Sequence, residues 1–249
     1  MADGVRSTGD CGIGTRTRHS AYPSVPRLYD QMRRRELCAG AVGLVAGLAG
    51  CAATREEFEF ESTPATFADE AVAEAGYESE GTEEVVVERT VTAGGSERDV
   101  TVINYSAEYT REATVAETPR SLVAAVAFSS PSMTILGREF NPIADESRRE
   151  LAGRMRDRID ERLDGEGPDD LAAVTERETT VLGTSTTVGV FEGTVVLEAG
   201  ERQLRLLVTR VEDGQDYVVL GAAYPAELAD EERPRVETLF GAVEHGEEG

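Results

Sequence analysis

The chain reads as an α+β protein, with an antiparallel sheet of about seven to eight strands and three helices packed on it. Three observations predict this class. Runs rich in Val, Ile, Thr and Tyr come in pairs separated by short turns, the mark of antiparallel hairpins. The elements fall in the order helix, about four strands, helix, about four strands, helix, which segregates helices from hairpins. No linker rich in Pro, Gly or Ser divides residues 58–246, which are therefore read as a single domain.

The domain opens on the alternating Phe58-Glu59-Phe60-Glu61. A helix follows with punctuation at both ends. Thr63 suits the N-cap, Pro64 the first helical position and Gly76 the position past the end, while Phe67, Ala68, Ala71, Val72 and Ala75 form an apolar stripe. Glu84–Val91 and Val100–Tyr109 read as a hairpin around Thr-Ala-Gly-Gly-Ser. Leu122–Phe128 and Met133–Leu136 read as two further strands split by Ser-Ser-Pro-Ser. Asn141-Pro142 marks a turn into a helix over about 145–163, with Leu151, Met155, Ile159 and Leu163 at a spacing of four. Strands around Leu171–Leu182, Thr186–Leu197, Gln203–Val211 and Tyr217–Tyr224 come next, the last three joined by Glu198-Ala-Gly-Glu201 and Glu212-Asp-Gly-Gln215. A final helix begins near Asp230 and carries Val236, Leu239, Phe240 and Val243 on one face.

Charge narrows the partners. The sequence has 48 Asp+Glu against 25 Lys+Arg, a formal net charge of −23, and every one of those 25 cations is arginine. A nucleic-acid partner needs a basic footprint, and none is expected here. Docking on anionic headgroups through charge is excluded on the same ground. Self-repulsion of this size opposes compaction in dilute buffer. Molar salt relieves it, because the Debye length falls to about 3 Å at 1 M. In this composition the chain resembles proteins of extremely halophilic archaea.

The N-terminal segment carries an export signal. Arg33-Arg34-Arg35-Glu36-Leu37 is followed by an uncharged run from Cys38 to Gly50 that ends in small residues. Arg34, Arg35 and Leu37 resemble the twin-arginine signal of folded-protein export. Leu48-Ala49-Gly50-Cys51 resembles the lipobox of prokaryotic lipoproteins, which implies that Cys51 is lipidated and becomes the new N-terminus. The competing reading, a spanning helix, is weaker. From Leu37 to Ala53 the run is mostly Gly and Ala, and as a helix it reaches only about 25 Å. Residues 1–31 have no apolar periodicity and precede the charged region. They read as a misassigned start upstream of Met32 or as a disordered extension. The expected plan is therefore signal peptide 32–50, lipidated cysteine and short tether 51–57, and domain 58–246, held within about 20 Å of the membrane.

Cleavage before Cys51 removes Cys11, Cys38 and His19, leaving His245 as the only histidine. Cysteine–histidine catalysis, disulfides within the chain and Cys/His zinc sites lose their parts. His245, in Glu-His-Gly-Glu-Glu, is expected at a solvated, fraying terminus. The remaining candidates are modest. Asn104-Tyr105-Ser106 matches the N-glycosylation acceptor inside a predicted strand. The Asp164–Asp170 loop is rich in carboxylates but lacks the EF-hand register, so it reads as a hydrated acidic loop, with no metal and no cofactor expected. Arg148, Arg149, Arg154, Arg156, Arg158 and Arg162 make one helix rich in arginine. Asp157, Asp160 and Glu161 stand three or four residues from several of them, predicting ion pairs along the helix.

The mature chain also resembles a family of small halophilic-archaeal lipoproteins of unknown function. The resemblance rests on the lipobox, the Phe67…Gly76-Tyr77 helix end, Phe140-Asn141-Pro142 and Tyr224-Pro225. The element order is similar to that of the PsbP-type fold. The function expected is a lipid-anchored accessory or binding protein on the outer face of the cell membrane, without catalysis, partnered by membrane lipid through Cys51 and by an envelope protein. A carboxylate-dependent envelope hydrolase and a solute-binding lipoprotein are the alternatives.

Overall fold

A computed structural model describes residues 57–115, 118–162, 167–197 and 200–246. The twin-arginine, apolar and lipobox residues lie outside the described residues. The strands are β1 (Glu57–Glu61), β2 (Ala65–Phe67), β3 (Glu78–Ala93), β4 (Ser96–Val115), β5 (Thr118–Pro131), β6 (Thr134–Ile135), β7 (Arg138–Glu139), β8 (Asp169–Val181), β9 (Thr184–Leu197), β10 (Gly200–Asp213), β11 (Asp216–Pro225) and β12 (Val243–His245). The helices are α1 (Asp69–Ala75), α2 (Arg148–Arg162) and α3 (Ala229–Gly241).

Eight strands form the main sheet, in the order β1-β4-β5-β11-β10-β9-β8, with β3 along the other flank of β4. The hairpins stand where the turn residues put them. Gly94 and Gly95, at φ +60° and +81°, supply the left-handed pair that a two-residue turn between β3 and β4 requires. Leu182-Gly183 serves β8–β9 in the same way, at φ +49° and +72°. One pairing departs from the antiparallel expectation: β1 runs parallel to β4, Glu57 opposite Asp99 and Glu61 opposite Ile103. Because β3 covers one flank of β4, β1 and β5 share the other. The two short segments 134–135 and 138–139 form their own two-stranded ribbon, so the strand read over Met133–Leu136 shortens to Thr134–Ile135 and stays out of the main sheet.

Strand alternation sends side chains to two faces. Ala107, Tyr109, Ala125, Ala127, Leu220 and Tyr224 join α1 and α3 in the larger core. Leu204, Leu206, Val208 and Ala223 meet Leu151, Met155 and Ile159 of α2 on the opposite face, so the four-residue spacing seats α2 as expected. A third cluster, including Val100, Val102 and Met133, closes the sheet near β1.

The first helix starts later than Thr63-Pro64 indicated. Residues 65–67 are strand instead, paired antiparallel with β12, with Val243 opposite Phe67 and His245 opposite Ala65. Tertiary contacts override the local signal: the Phe67 amide donates to the Tyr109 hydroxyl (3.0 Å), and its ring packs on Tyr109 and Phe240. Asp69 then begins α1 with no side-chain cap. The C-terminus is as read. Gly76 at φ +72° donates to Ala73 O and Tyr77 to Val72 O, the paired bonds of a Schellman close. Val243 belongs to β12 rather than to the helical face of Val236, Leu239 and Phe240.

Candidate functional site

The sequence places His245 at a fraying end; the structure buries it. Its side chain is 5 % exposed, because β12 carries it against the turn between β10 and β11. Nδ1 stands 2.8 Å from Asp213 Oδ2, and Nε2 stands 3.1 Å from Asp216 Oδ2. Carboxylates on opposite ring nitrogens favour the form of the ring with two N–H donors. The Asp216 bond, opposed by burial and aided by the Asp213 bond, holds the histidine above its ordinary value. Asp216 Oδ2 also accepts from the Thr63 amide at 2.8 Å. The cluster thus fastens residue 63, the β10–β11 turn and the last strand together. An acidic cleft of about 500 Å³, with Glu59 and Glu61 on its walls, opens beside it.

This cluster was missed because its parts are far apart in sequence and the local context of His245 is acidic and glycine-containing. A signal was present nonetheless. Val243 and His245 alternate after a helix, and Asp213 and Asp216 bracket one tight turn, a like-charge pair in want of a cation.

A second charged cluster is built around a buried carboxylate. Glu232 of α3 is 0 % exposed and pairs with Arg111 of β4, while Tyr77 donates to its other oxygen at 3.1 Å. Arg235 lies 4.0 Å from the same carboxylate and donates to Ala75 O, tying α3 to α1. Burial, then the adjacent Glu232 charge, drives the Tyr77 phenol far above its ordinary range. Glu139 anchors a third site. Burial alone would raise its carboxyl, yet hydrogen bonds from Ser132 and the amides of Asn141, Met133 and Phe140 bring it below the ordinary value. Asn141 caps the turn that follows by accepting from the Ile143 amide.

The sequence-predicted residues fall as follows. Asn104 is 5 % exposed within β4, its amide donating to Val85 O at 2.9 Å, so the folded strand holds the acceptor nitrogen in its ladder. Among the described side chains, the arginines of α2 reach partners on other elements as well as on the helix; the side chains of Asp160 and Glu161 lie outside the described residues. Arg148 reaches Glu176, Arg158 reaches Glu108, Arg154 reaches back to Glu146, and Arg149 donates to Leu171 O; Arg156 alone takes a helix neighbour, Asp157. The side chain of Arg162 lies outside the described residues, as do Leu163 and residues 164–166 of the acidic loop. Arg34, Arg35, Leu37, Leu48, Ala49, Gly50 and Cys51 lie outside them too. Among the described residues no group of three His, Cys, Asp or Glu is arranged to hold a metal ion, and no helix is long and apolar enough to cross a membrane.

No curated protein matches the sequence. Among solved structures, the chain is similar to cyanobacterial PsbP (CyanoP) from Synechocystis sp. PCC 6803, at 11 % identity and a TM-score of 0.34, covering 83 % of this chain and 98 % of that one. It is also similar to PA94 from Pseudomonas aeruginosa, described as a protein of unknown function and putative regulator, at 8 % identity and a TM-score of 0.28, covering 59 % and 89 %. Likenesses this low carry no argument about function. The sequence family is another matter, since residues 64–244 match it across the three helices and the strands from β2 into β12. The chain belongs to the family described as a domain of unknown function, DUF6517.

Proposed function

We propose that this protein is a lipid-anchored, non-catalytic accessory or binding domain on the outer face of the cell membrane of a halophile. The observation that carries the reading is the placement of Cys51. The cysteine that ends the lipobox stands six positions before Glu57, the first residue of β1. A lipid on that sulfur therefore holds the β1 end of the sheet within about 20 Å of the bilayer. Two acyl-type chains, at about 0.8 kcal/mol per buried CH₂, make such an anchor stable, and an acidic surface offers no electrostatic substitute.

The absence of catalysis in this reading is supported by how the charged groups are used. His245 has both ring nitrogens engaged by carboxylates within the fold. Glu232 and Glu139 are occupied inside the fold by Arg111, Tyr77 and backbone amides. Membrane fractionation and mass spectrometry of the mature N-terminus test the anchor. Wild type should give a lipid-modified Cys51 as its first residue. Cys51→Ser should release the protein or leave its precursor uncleaved, and Lys at positions 34 and 35 should retain the precursor inside the cell. An unmodified Cys51 still joined to Gly50 in the membrane fraction overturns the reading.

A further inference from the structure

Beside α2 the sheet is left partly uncovered. The helix packs over β10 and β9, and between its flank and β4 lies a groove of about 380 Å³, within the size range of small-molecule pockets. Its floor follows from register. Ser106 of β4 stands opposite Phe128 of β5, and Val126 stands opposite Gly221 of β11. These positions face α2, so Val126, Phe128 and Val219 present a half-buried apolar strip instead of joining a sealed core. Gly221 lets Val126 and Met155 close on the strand at the edge of the groove. A Cβ there would fall 3.0 Å from Val126 Cγ1 and 3.1 Å from Met155 Sδ.

Within this apolar floor Ser106 is 1 % exposed, and its hydroxyl has no hydrogen-bond partner. A buried hydroxyl left unpaired costs about 1–3 kcal/mol, so a native fold that keeps one has a use for it. The mouth of the groove is charged, with Asp157 lying between two arginines that each hold a carboxylate. Arg158 crosses it from α2 to Glu108 of β4 (2.8 Å), and Arg154 stands one turn earlier, paired with Glu146.

We propose that this groove binds a small amphiphile with an apolar body and an oxygen-acceptor head, a carboxylate or carbonyl. The body lies on Val126, Phe128 and Val219. The head accepts the Ser106 hydroxyl at the flank where Arg154 and Arg158 stand. The shape and chemistry each contribute: the volume fits a small molecule, the strip selects an apolar body, and the unpaired donor selects an acceptor head. The site is separate from the His245 cluster and does not depend on whether Cys51 is lipidated.

Methionine methyl NMR on the full chain in molar KCl tests this with decanoate as the probe. Met155 lines the groove, whereas Met133 is 0 % exposed in a different cluster and serves as an internal control. The Met155 methyl signal should move and saturate with decanoate while Met133 stays fixed. Ser106→Ala should weaken that titration about fivefold, the worth of one hydrogen bond. Val126→Phe, a filling change at a half-buried position, should abolish it with an unaltered Met133 signal showing that the fold is kept. A Met155 signal unmoved up to the solubility limit of the probe overturns the proposal. So does a joint movement of Met155 and Met133, or an unchanged affinity in Ser106→Ala.

Discussion

Replacing His245 by alanine removes the cation between Asp213 and Asp216, and the cost can be worked from the two contacts. The bond to Asp216 is buried, with that carboxylate 8 % exposed, and counts in full at about 1.5–3 kcal/mol. Asp213 is 39 % exposed, so solvent screening reduces its bond to under about 1 kcal/mol. Together these give about 3 kcal/mol, which for a domain of this size lowers the melting temperature by about 6–12 °C. The pH dependence carries the decisive sign. The folded-state value of His245 is raised, chiefly by the Asp216 bond, so the protonated ring favours the folded chain. Its stabilisation is complete below the ordinary histidine value and is lost as the pH rises through the raised one. Melting followed by circular dichroism at constant molar salt, from mildly acid to alkaline pH, should show the gap between wild type and His245→Ala closing as pH increases. His245→Gln keeps one donor without a titrating proton and should show a smaller gap, flat over the same range. A gap that widens with pH, or a wild-type profile parallel to that of His245→Gln, refutes the argument.

Two further outcomes follow from the charge arrangement. Arg111→Met strands the fully buried Glu232 and should cost about 3–5 kcal/mol in denaturant unfolding, whereas adding Glu232→Leu should recover most of that loss, because an apolar pair has no charge to desolvate. The 249-residue sequence carries a net charge of −23 and no lysine, so the protein should lose its circular dichroism signal as KCl falls from molar to about 0.1 M, where screening reaches only beyond about 10 Å; an unchanged melting point across that series removes the halophilic argument.

Local chemistry made most of the sheet legible. Gly94-Gly95 and the Asp213–Asp216 turn each dictate a hairpin from adjacent residues, and Leu151, Met155 and Ile159 dictate the buried face of α2. What could not be read depends on partners far along the chain. Thr63-Pro64 mimics a helix start, yet residues 65–67 become strand because Tyr109 and β12 supply bonds that a local pattern does not contain. The parallel pairing of β1 has no turn to announce it. The spacing of the α2 arginines indicates helical ion pairing, but it contains nothing of the partners that Arg148, Arg154 and Arg158 find on β8, in the preceding loop and on β4. The same limit hid the site. Ser106 looked like part of a glycosylation triplet, and only the register of four strands shows its hydroxyl beneath a helix.

The pairing of β2 with β12 joins the second strand of the domain to its last, across 176 residues from Phe67 to Val243. A contact of that sequence separation forms late, since the entropy of closing so long a loop must be offset by structure already in place. Synthesis from the N-terminus leaves β2 and the face of Phe67 waiting until β12 has been made. The fold thus has a built-in completion step: a chain that stops before β12 cannot bring His245 to Asp216 or cover Phe67.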